Sequence, residues 1–355
     1  MRNDRRAFIG SFTSSGGRGI IVAEVDEATG ALQERSVTDV VANPSFLTLS
    51  PDGTVLYAVS EDDDGAAAAF STSGVGAGAD DEEPWTLRLL GEQVPVGAAV
   101  PTHLTLTAGH LLTANYGSGS VTVLPLGADG ALRSASGIRQ HEGSGPNADR
   151  QRGPHAHQVV TDPTDRWVLS VDLGTDSVWI STLDTTSGAL SPHRETPLRP
   201  GSGPRHLAFH PAGDHAYVMN ELDPTITVCR WDPQTGSLDP VRETRVLPDD
   251  VSVQSYASEV VPSIDGRFVW TANRGPDSIS VLALDPTYEH PQLITTVEYG
   301  GRWPRHLTLG PTGRHLYVSD EYSGDVTWLD IDPDTGVPSV AGSLPAPAAS
   351  CVVFG

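Results

Sequence analysis

An internal repeat of about 50 residues constrains this chain more than any other feature. Six segments start from equivalent anchors at Pro44, Pro101, Pro154, Pro204, Ala257 and Pro304, spaced 57, 53, 50, 53 and 47 residues apart. Such a period marks one supersecondary unit repeated in a stack or ring. In each unit a short apolar run leads into a turn such as Pro51-Asp52-Gly53, Pro211-Ala212-Gly213 or Pro311-Thr312-Gly313. Proline presets φ at these turns and glycine tolerates φ > 0. A second apolar run follows, as in Val55–Val59, Ala216–Met219 and Leu316–Ser319. A third alternates apolar and polar residues, as in Ser278–Leu284, and a loop leads to a fourth. Sustained helical periodicity is missing. Four short strands per unit describe a propeller blade, so the expected fold is all-β.

The two ends supply a seventh blade. Ala349–Phe354 resembles a first strand, and Ala7–Thr13, Gly19–Val25 and Leu32–Val40 resemble the second, third and fourth. Pairing them closes the ring and removes a free sheet edge. The expectation is therefore a single seven-bladed domain over residues 1–355. Its weakest unit is residues 61–100, where the Ala/Gly-rich stretch Ala66–Ala79 reads as loose outer strands or a loop.

Charge and composition remove several classes of function. The formal net charge is −23, which disfavours nucleic-acid and anionic-membrane partners. All 22 basic residues are arginines; without lysine there is no Schiff-base chemistry. Cys229 and Cys351 are too few for a disulfide framework. Neither a secretory leader nor an apolar run of membrane-spanning length is apparent, so the expected compartment is the cytoplasm.

Aligned repeats give two columns expected near one mouth of the channel. Just after the anchors stand Ser45, Thr102, His155, Arg205, Ser258 and Arg305. At the end of the second strands stand Glu61, Tyr116, Leu173, Glu221, Arg274 and Glu321, each preceded by Ser, Asn or Asp. Ionisable groups converging in a concavity are costly unless paired or used, which makes them a site hypothesis. The polar loop Gly143–Gly153 interrupts the rhythm before His155 and is placed to cover the mouth with Arg150 and Gln151. His103, His206 and His306 recur at one position facing away from the first column, which suggests packing.

Several of these runs resemble one family. Arg150-Gln151-x-x-Pro154-His155-Ala156-His157, Gly203-Pro204-Arg205-His206, Asn220-Glu221, Asn273-Arg274 and Trp303-Pro304-Arg305-His306 are similar to the lactonase family of seven-bladed propellers. That family includes 6-phosphogluconolactonase and a muconate cyclase branch. The resemblance spans nearly the whole chain and implies hydrolysis of a sugar lactone. It assigns catalytic roles to His157, Arg205, Glu221 and Arg274, with His155 an alternative to His157.

The chemistry of those side chains agrees. A base, His157 or Glu221, activates water; Arg205 or Arg274 faces the developing oxyanion. Arg305, Arg150, Gln151 and His155 are candidate contacts for an acidic lactone or phosphosugar. No cofactor or metal is required, and the expected state is a monomer. Three alternatives stay open: a lactone-forming cyclase on the same residues, a non-enzymatic scaffold, and a calcium-dependent lactonase using Asn115, Asp172, Asn220 and Asp320.

Overall fold

The computed structural model describes residues 6–73 and 85–355. It is a ring of seven antiparallel sheets, six of them laid out from an inner to an outer strand in chain order. The fourth blade is representative: Pro204–Phe209, His215–Asn220, Thr225–Asp232 and Ser237–Arg245. The closing blade takes Ala349–Phe354 as its inner strand and Arg6–Ser11, Ile20–Val25 and Leu32–Thr38 as the other three. Both ends of the chain thus lie within one sheet, as the repeat predicts. No helix among the described residues is long and apolar enough to cross a membrane.

The core is divided among the blade junctions. Each of the seven junctions encloses its own apolar cluster, for example Trp270, Leu307 and Leu316 between the fifth and sixth blades. Polar locks reinforce five junctions. An aromatic donor at or just before the second strand reaches a carbonyl in the outer turn of the next blade. The pairs are Tyr57 to Gly130 (2.9 Å), Trp167 to Pro233 (2.8 Å), Tyr217 to Tyr288 (3.1 Å), Trp270 to Gly336 (2.7 Å) and Tyr317 to Gly30 (2.7 Å). The last lock joins the sixth blade to the closing one. Gly336 adopts φ +70°, and a Cβ there would lie 2.6 Å from the Phe268 ring, so glycine is required by both backbone and space.

The stretch expected to be loose is in part a buried strand. Ala66–Ser71 is the third strand of the first blade, with Ala67, Ala68 and Phe70 fully buried. Its small side chains let this sheet pack closely against the closing blade, whose Phe8, Ile20 and Val22 share one apolar cluster with Ala68. Residues 74–84, which include the rest of the expected loop, lie outside the described residues.

In four blades the Asn and Asp column staples the sheet internally. Asn115 donates to Ser120 and Thr122, Asn220 to Thr225 and Thr227, and Asn273 to Ser280, all from second to third strand. Asp320 holds the same place in the sixth blade, where it accepts from Tyr299 and Thr327. Asp172 instead accepts from the His155, Gly174 and Thr175 backbone N–H groups and lies 2.7 Å from His141 Nδ1, so Asn115, Asp172, Asn220 and Asp320 each serve their own blade and the calcium-ligand reading of them finds no support. Burial, with Asp325 nearby, pushes the Asp320 carboxyl up to about 8.

A carboxyl raised in the folded state stabilises the fold below its unfolded pKa of about 3.9 and loses that contribution as pH rises through about 8. Asp320→Asn installs the residue the second, fourth and fifth blades already use. Its melting temperature should therefore exceed wild type by more at pH 8 than at pH 5, and thermal denaturation at the two pH values reads this directly.

Candidate functional site

The site is built by a defect repeated around the ring. In six blades the ladder between first and second strands slips by one residue just after the inner anchor. The residue left without a ladder partner is Thr102, His157, Arg205, Ser258, Arg305 or Ser350, and Ser45 takes the equivalent place in the first blade. A bulge of this kind re-aims a side chain, here toward the axis. The residues just after the second strands, Phe12, Glu61, Tyr116, Leu173, Glu221 and Glu321, and Arg274 at the end of its second strand, hold the neighbouring column.

This register corrects one column of the sequence alignment. In the third blade the inner anchor is Ala156, paired with Asp172, so His157 joins the ring with Arg205 and Arg305. His155 precedes the strand. Its backbone N–H donates to Asp172 (2.8 Å), and its ring stacks on Tyr116 at 4.5 Å with Nδ1 2.9 Å from the Tyr116 carbonyl. The sequence marker Pro154 lies two residues ahead of the structural anchor Ala156, so the repeat column takes His155, and strand alternation, which puts both histidines on one face, does not separate them.

Charge concentrates on one carboxylate. Glu221 Oε1 accepts from Arg150 (2.6 Å), and Oε2 accepts from Arg274 (2.7 Å) with Arg205 Nε at 3.3 Å. Burial alone would raise this carboxyl. Arg274, Arg205 and Arg150 outweigh burial and hold it at about 2, so Glu221 stays ionised with both oxygens already engaged by arginines. The acid/base role expected for Glu221 therefore does not suit its surroundings, which suit an anion that gathers arginines. Arg205 also donates to the Ser258 carbonyl. Burial, then repulsion from Arg274 and Arg305, pushes its guanidinium down to about 9, still charged at neutral pH.

A second group lies across the mouth. Arg305 donates to Glu321 (3.3 Å), stands 3.7 Å from Glu61 and covers the Phe12 ring at 4.6 Å. Burial raises the Glu61 carboxyl against the pull of Arg305, and Ser45 donates to it. His157 is buried, and burial together with Arg205 keeps its imidazole well below the ordinary histidine range. It is consequently neutral at pH 7, with a nitrogen able to accept a proton.

Beneath this layer lies a floor that alternation did not anticipate. His103, His206 and His306 meet Phe46 at the axis, with ring centroids 4.1, 6.3 and 5.6 Å from Phe46. His206 is also 5.1 Å from the His157 ring, so these histidines lie against the site and do not face away from it. Glu259, which the sequence reading did not single out, joins them at 2.9 Å from His206. Its position next to the bulged Ser258 was the available signal.

The loop before the third blade delivers Arg150 as expected, but Gln151 has a different part. Gln151 is 0% exposed. Its Nε2 donates to Leu173 (2.8 Å) and Asp176 (2.7 Å), and its Oε1 accepts from Asn147 (3.0 Å). Both ends of the amide are occupied, so Gln151 fastens the loop that aims Arg150 and is not itself a free contact. An aromatic ledge, Trp303 stacked on the exposed Tyr322 at 4.7 Å, borders Arg274, whose guanidinium lies 5.6 Å from the Trp303 ring. Trp303 holds this place at φ +62°, a left-handed backbone that disfavours bulky residues. Among the described residues no group of three or more His, Cys, Asp or Glu could hold a metal ion.

The family described as Lactonase, 7-bladed beta-propeller, matches residues 6–354. This chain belongs to that family. It is 33% identical over 354 residues to the 6-phosphogluconolactonase of Bacillus subtilis, covering 98% of this chain and 97% of the relative. The 6-phosphogluconolactonase of Formosa agariphila is 29% identical over 341 residues, with 93% of each chain covered. The solved structure of the Pseudomonas aeruginosa periplasmic gluconolactonase superposes with a TM-score of 0.90 at 27% identity, covering 99% of this chain and 98% of that one.

In this lactonase-family chain, removing the charge of Glu221 leaves Arg205 and Arg274 buried without their counter-ion. Breaking a buried pair by removing one partner costs about 3–5 kcal/mol. Glu221→Gln should lower the free energy of unfolding by that order, measured by urea denaturation, whereas Glu34→Gln at the exposed Arg18 pair should change it by under about 1 kcal/mol.

Proposed function

We propose that the protein hydrolyses a sugar lactone carrying an acidic group, of the 6-phosphogluconolactone type, at the channel mouth. The observation that carries this reading is the convergence of Arg150, Arg205 and Arg274 on Glu221, with Arg305 two blades on from Arg205 and neutral His157 in the blade before it. The relatives named 6-phosphogluconolactonase and gluconolactonase support the same chemistry.

In this mechanism His157 takes a proton from water as its oxygen attacks the lactone carbonyl. The oxygen of that carbonyl becomes an oxyanion, stabilised by Arg205 and Arg274, which are fixed in advance by Glu221 and by the carbonyls of Ser258 and Tyr256. The ring C–O bond then breaks, and the proton held on the enzyme passes to the departing oxygen. Arg305 and Arg150 grip the acidic group, and the apolar face of the sugar lies on Trp303. Loss of a single oxyanion donor typically costs 10²–10³ in rate.

The decay of freshly made 6-phosphogluconolactone at pH 7 tests the reading. Wild type should accelerate it clearly over the uncatalysed control, and Arg205→Ala should lower kcat/KM by about 10²-fold or more. Arg305→Ala should raise KM for the phosphorylated lactone more than for gluconolactone. No acceleration by wild type contradicts the proposal.

A further inference from the structure

Glu259 and His206 sit one layer below the proposed chemistry, and nothing in the mechanism above uses them. Glu259 is buried, and both its oxygens lie within 3.0 Å of His206 Nδ1. That contact fixes the tautomer of a neutral His206: Nδ1 carries the proton and donates to the carboxyl, leaving the Nε2 lone pair free. Nε2 is itself buried and meets no hydrogen-bond partner among the described residues. The same holds for Nδ1 of His157, whose ring is 5.1 Å from that of His206. Two buried, unpartnered imidazole nitrogens on adjacent rings are expensive unless a proton or a small polar group is exchanged there.

Resting on the lactonase reading, we propose that Glu259 and His206 form a carboxylate–imidazole dyad that positions and recharges His157, taking the proton His157 receives from the attacking water. Glu259 is a positioning residue in this scheme and His206 a proton store; neither touches substrate.

The proton balance is closed. As the water oxygen bonds to the lactone carbonyl carbon, one water O–H breaks and its proton goes to His157. The two nitrogens do not hydrogen-bond to each other directly, so in this scheme His157 releases a proton from Nδ1 to one water lodged between the rings, that water passes a proton to His206 Nε2, and the resulting imidazolium at 206 is paired with the Glu259 carboxylate through Nδ1–H. When the ring C–O bond breaks, the proton returns by the same route to the departing alkoxide, giving the open hydroxy acid. No oxidant, reductant or further reactant enters.

The neighbourhood explains why a carboxylate is needed. His206 faces His103 from the second blade, His157 from the third, Arg205 on its own strand, Arg274 from the fifth, and His306 and Arg305 from the sixth. Burial and these positive groups keep its imidazole well below the ordinary histidine range. Glu259 is the negative group in contact with it, at the cost of its own desolvation, which raises the Glu259 carboxyl. Without Glu259 an imidazolium at 206 has no counter-ion, so the dyad accepts a proton only at lower pH.

Glu259→Gln keeps the shape and removes the charge. The expected result is a kcat for the lactone lowered by about 10²-fold with KM within about twofold of wild type, and an acidic limb of the kcat–pH profile moved to lower pH. A melting temperature that is unchanged or raised accompanies it, because a buried carboxyl is replaced by an amide. A structural role alone would lower the melting temperature and leave the pH profile where it is; that result, or unchanged kcat, overturns the proposal. His206→Asn should show the same loss of kcat without the shifted limb. If wild type opens no lactone, the functional reading fails on its own. The dyad is then decided by ¹⁵N-histidine NMR. His206 protonated on Nδ1, titrating at lower pH in Glu259→Gln, supports it; His206 protonated on Nε2, or a titration unmoved by the substitution, overturns it.

Discussion

Three guanidiniums stand together at the channel mouth because one buried carboxylate, Glu221, lies between them. At the 2.6–3.3 Å separations seen here, opposite charges in a poorly solvated interior attract strongly, and like charges repel as strongly. Remove the carboxylate and Arg205, Arg274 and Arg150 repel one another across a space that water screens poorly. The pairing also joins separate parts of the fold: the fourth blade carries Arg205 and Glu221, the fifth carries Arg274, and the loop before the third carries Arg150. Blade geometry and charge balance therefore constrain each other, and the position of the ring's chemistry is set by this contact more than by any one strand.

The rest of the fold serves to hold that contact in place. Seven junction clusters fix the spacing of the blades, and the aromatic locks fix their rotation about the axis. The bulge after each inner anchor supplies the aim. In two blades the bulged hydroxyl ties inner strands together, Thr102 to the His157 carbonyl (3.1 Å) and Ser258 to the Pro304 carbonyl (2.6 Å). Where the bulged residue is His157, Arg205 or Arg305, the same geometry presents an ionisable side chain instead. One backbone device thus yields staples in some blades and, in the proposed function, chemistry in others.

That division accounts for what the sequence revealed. The repeat anchors, the turn prolines and glycines and the alternating third strands are local signals, and they carried the seven-blade architecture and its closure by both ends. Arg205, Glu221 and Arg274 were legible because the repeat placed them in columns near one mouth. His157 was harder to choose over His155, since the bulge and the two-residue offset at Pro154 break strand alternation. Gln151 misled because a polar loop residue reads as available until its burial is seen. Glu259 was hidden because its meaning lies in one long-range contact with His206, and no local pattern encodes that. Ala66–Ser71 reads as loose by composition, yet its alanines are what a closely packed sheet interior accepts.

The net charge of −23 makes the local arginines more telling. A surface this acidic repels an anionic ligand at long range, and salt confines that effect to about 8 Å at physiological ionic strength. Any anion that binds must therefore be held by groups within that distance. A crystal structure of the protein soaked with 6-phosphogluconate, the open acid of the proposed substrate, tests this most directly. The account predicts the acid at the channel mouth, with its anionic groups within hydrogen-bond distance of Arg205, Arg274 or Arg305 and its carbon chain beside Trp303. Binding elsewhere, for example in the cleft lined by Ile264, Phe268 and Ile331 between the fifth and sixth blades, with the arginines untouched, would contradict it.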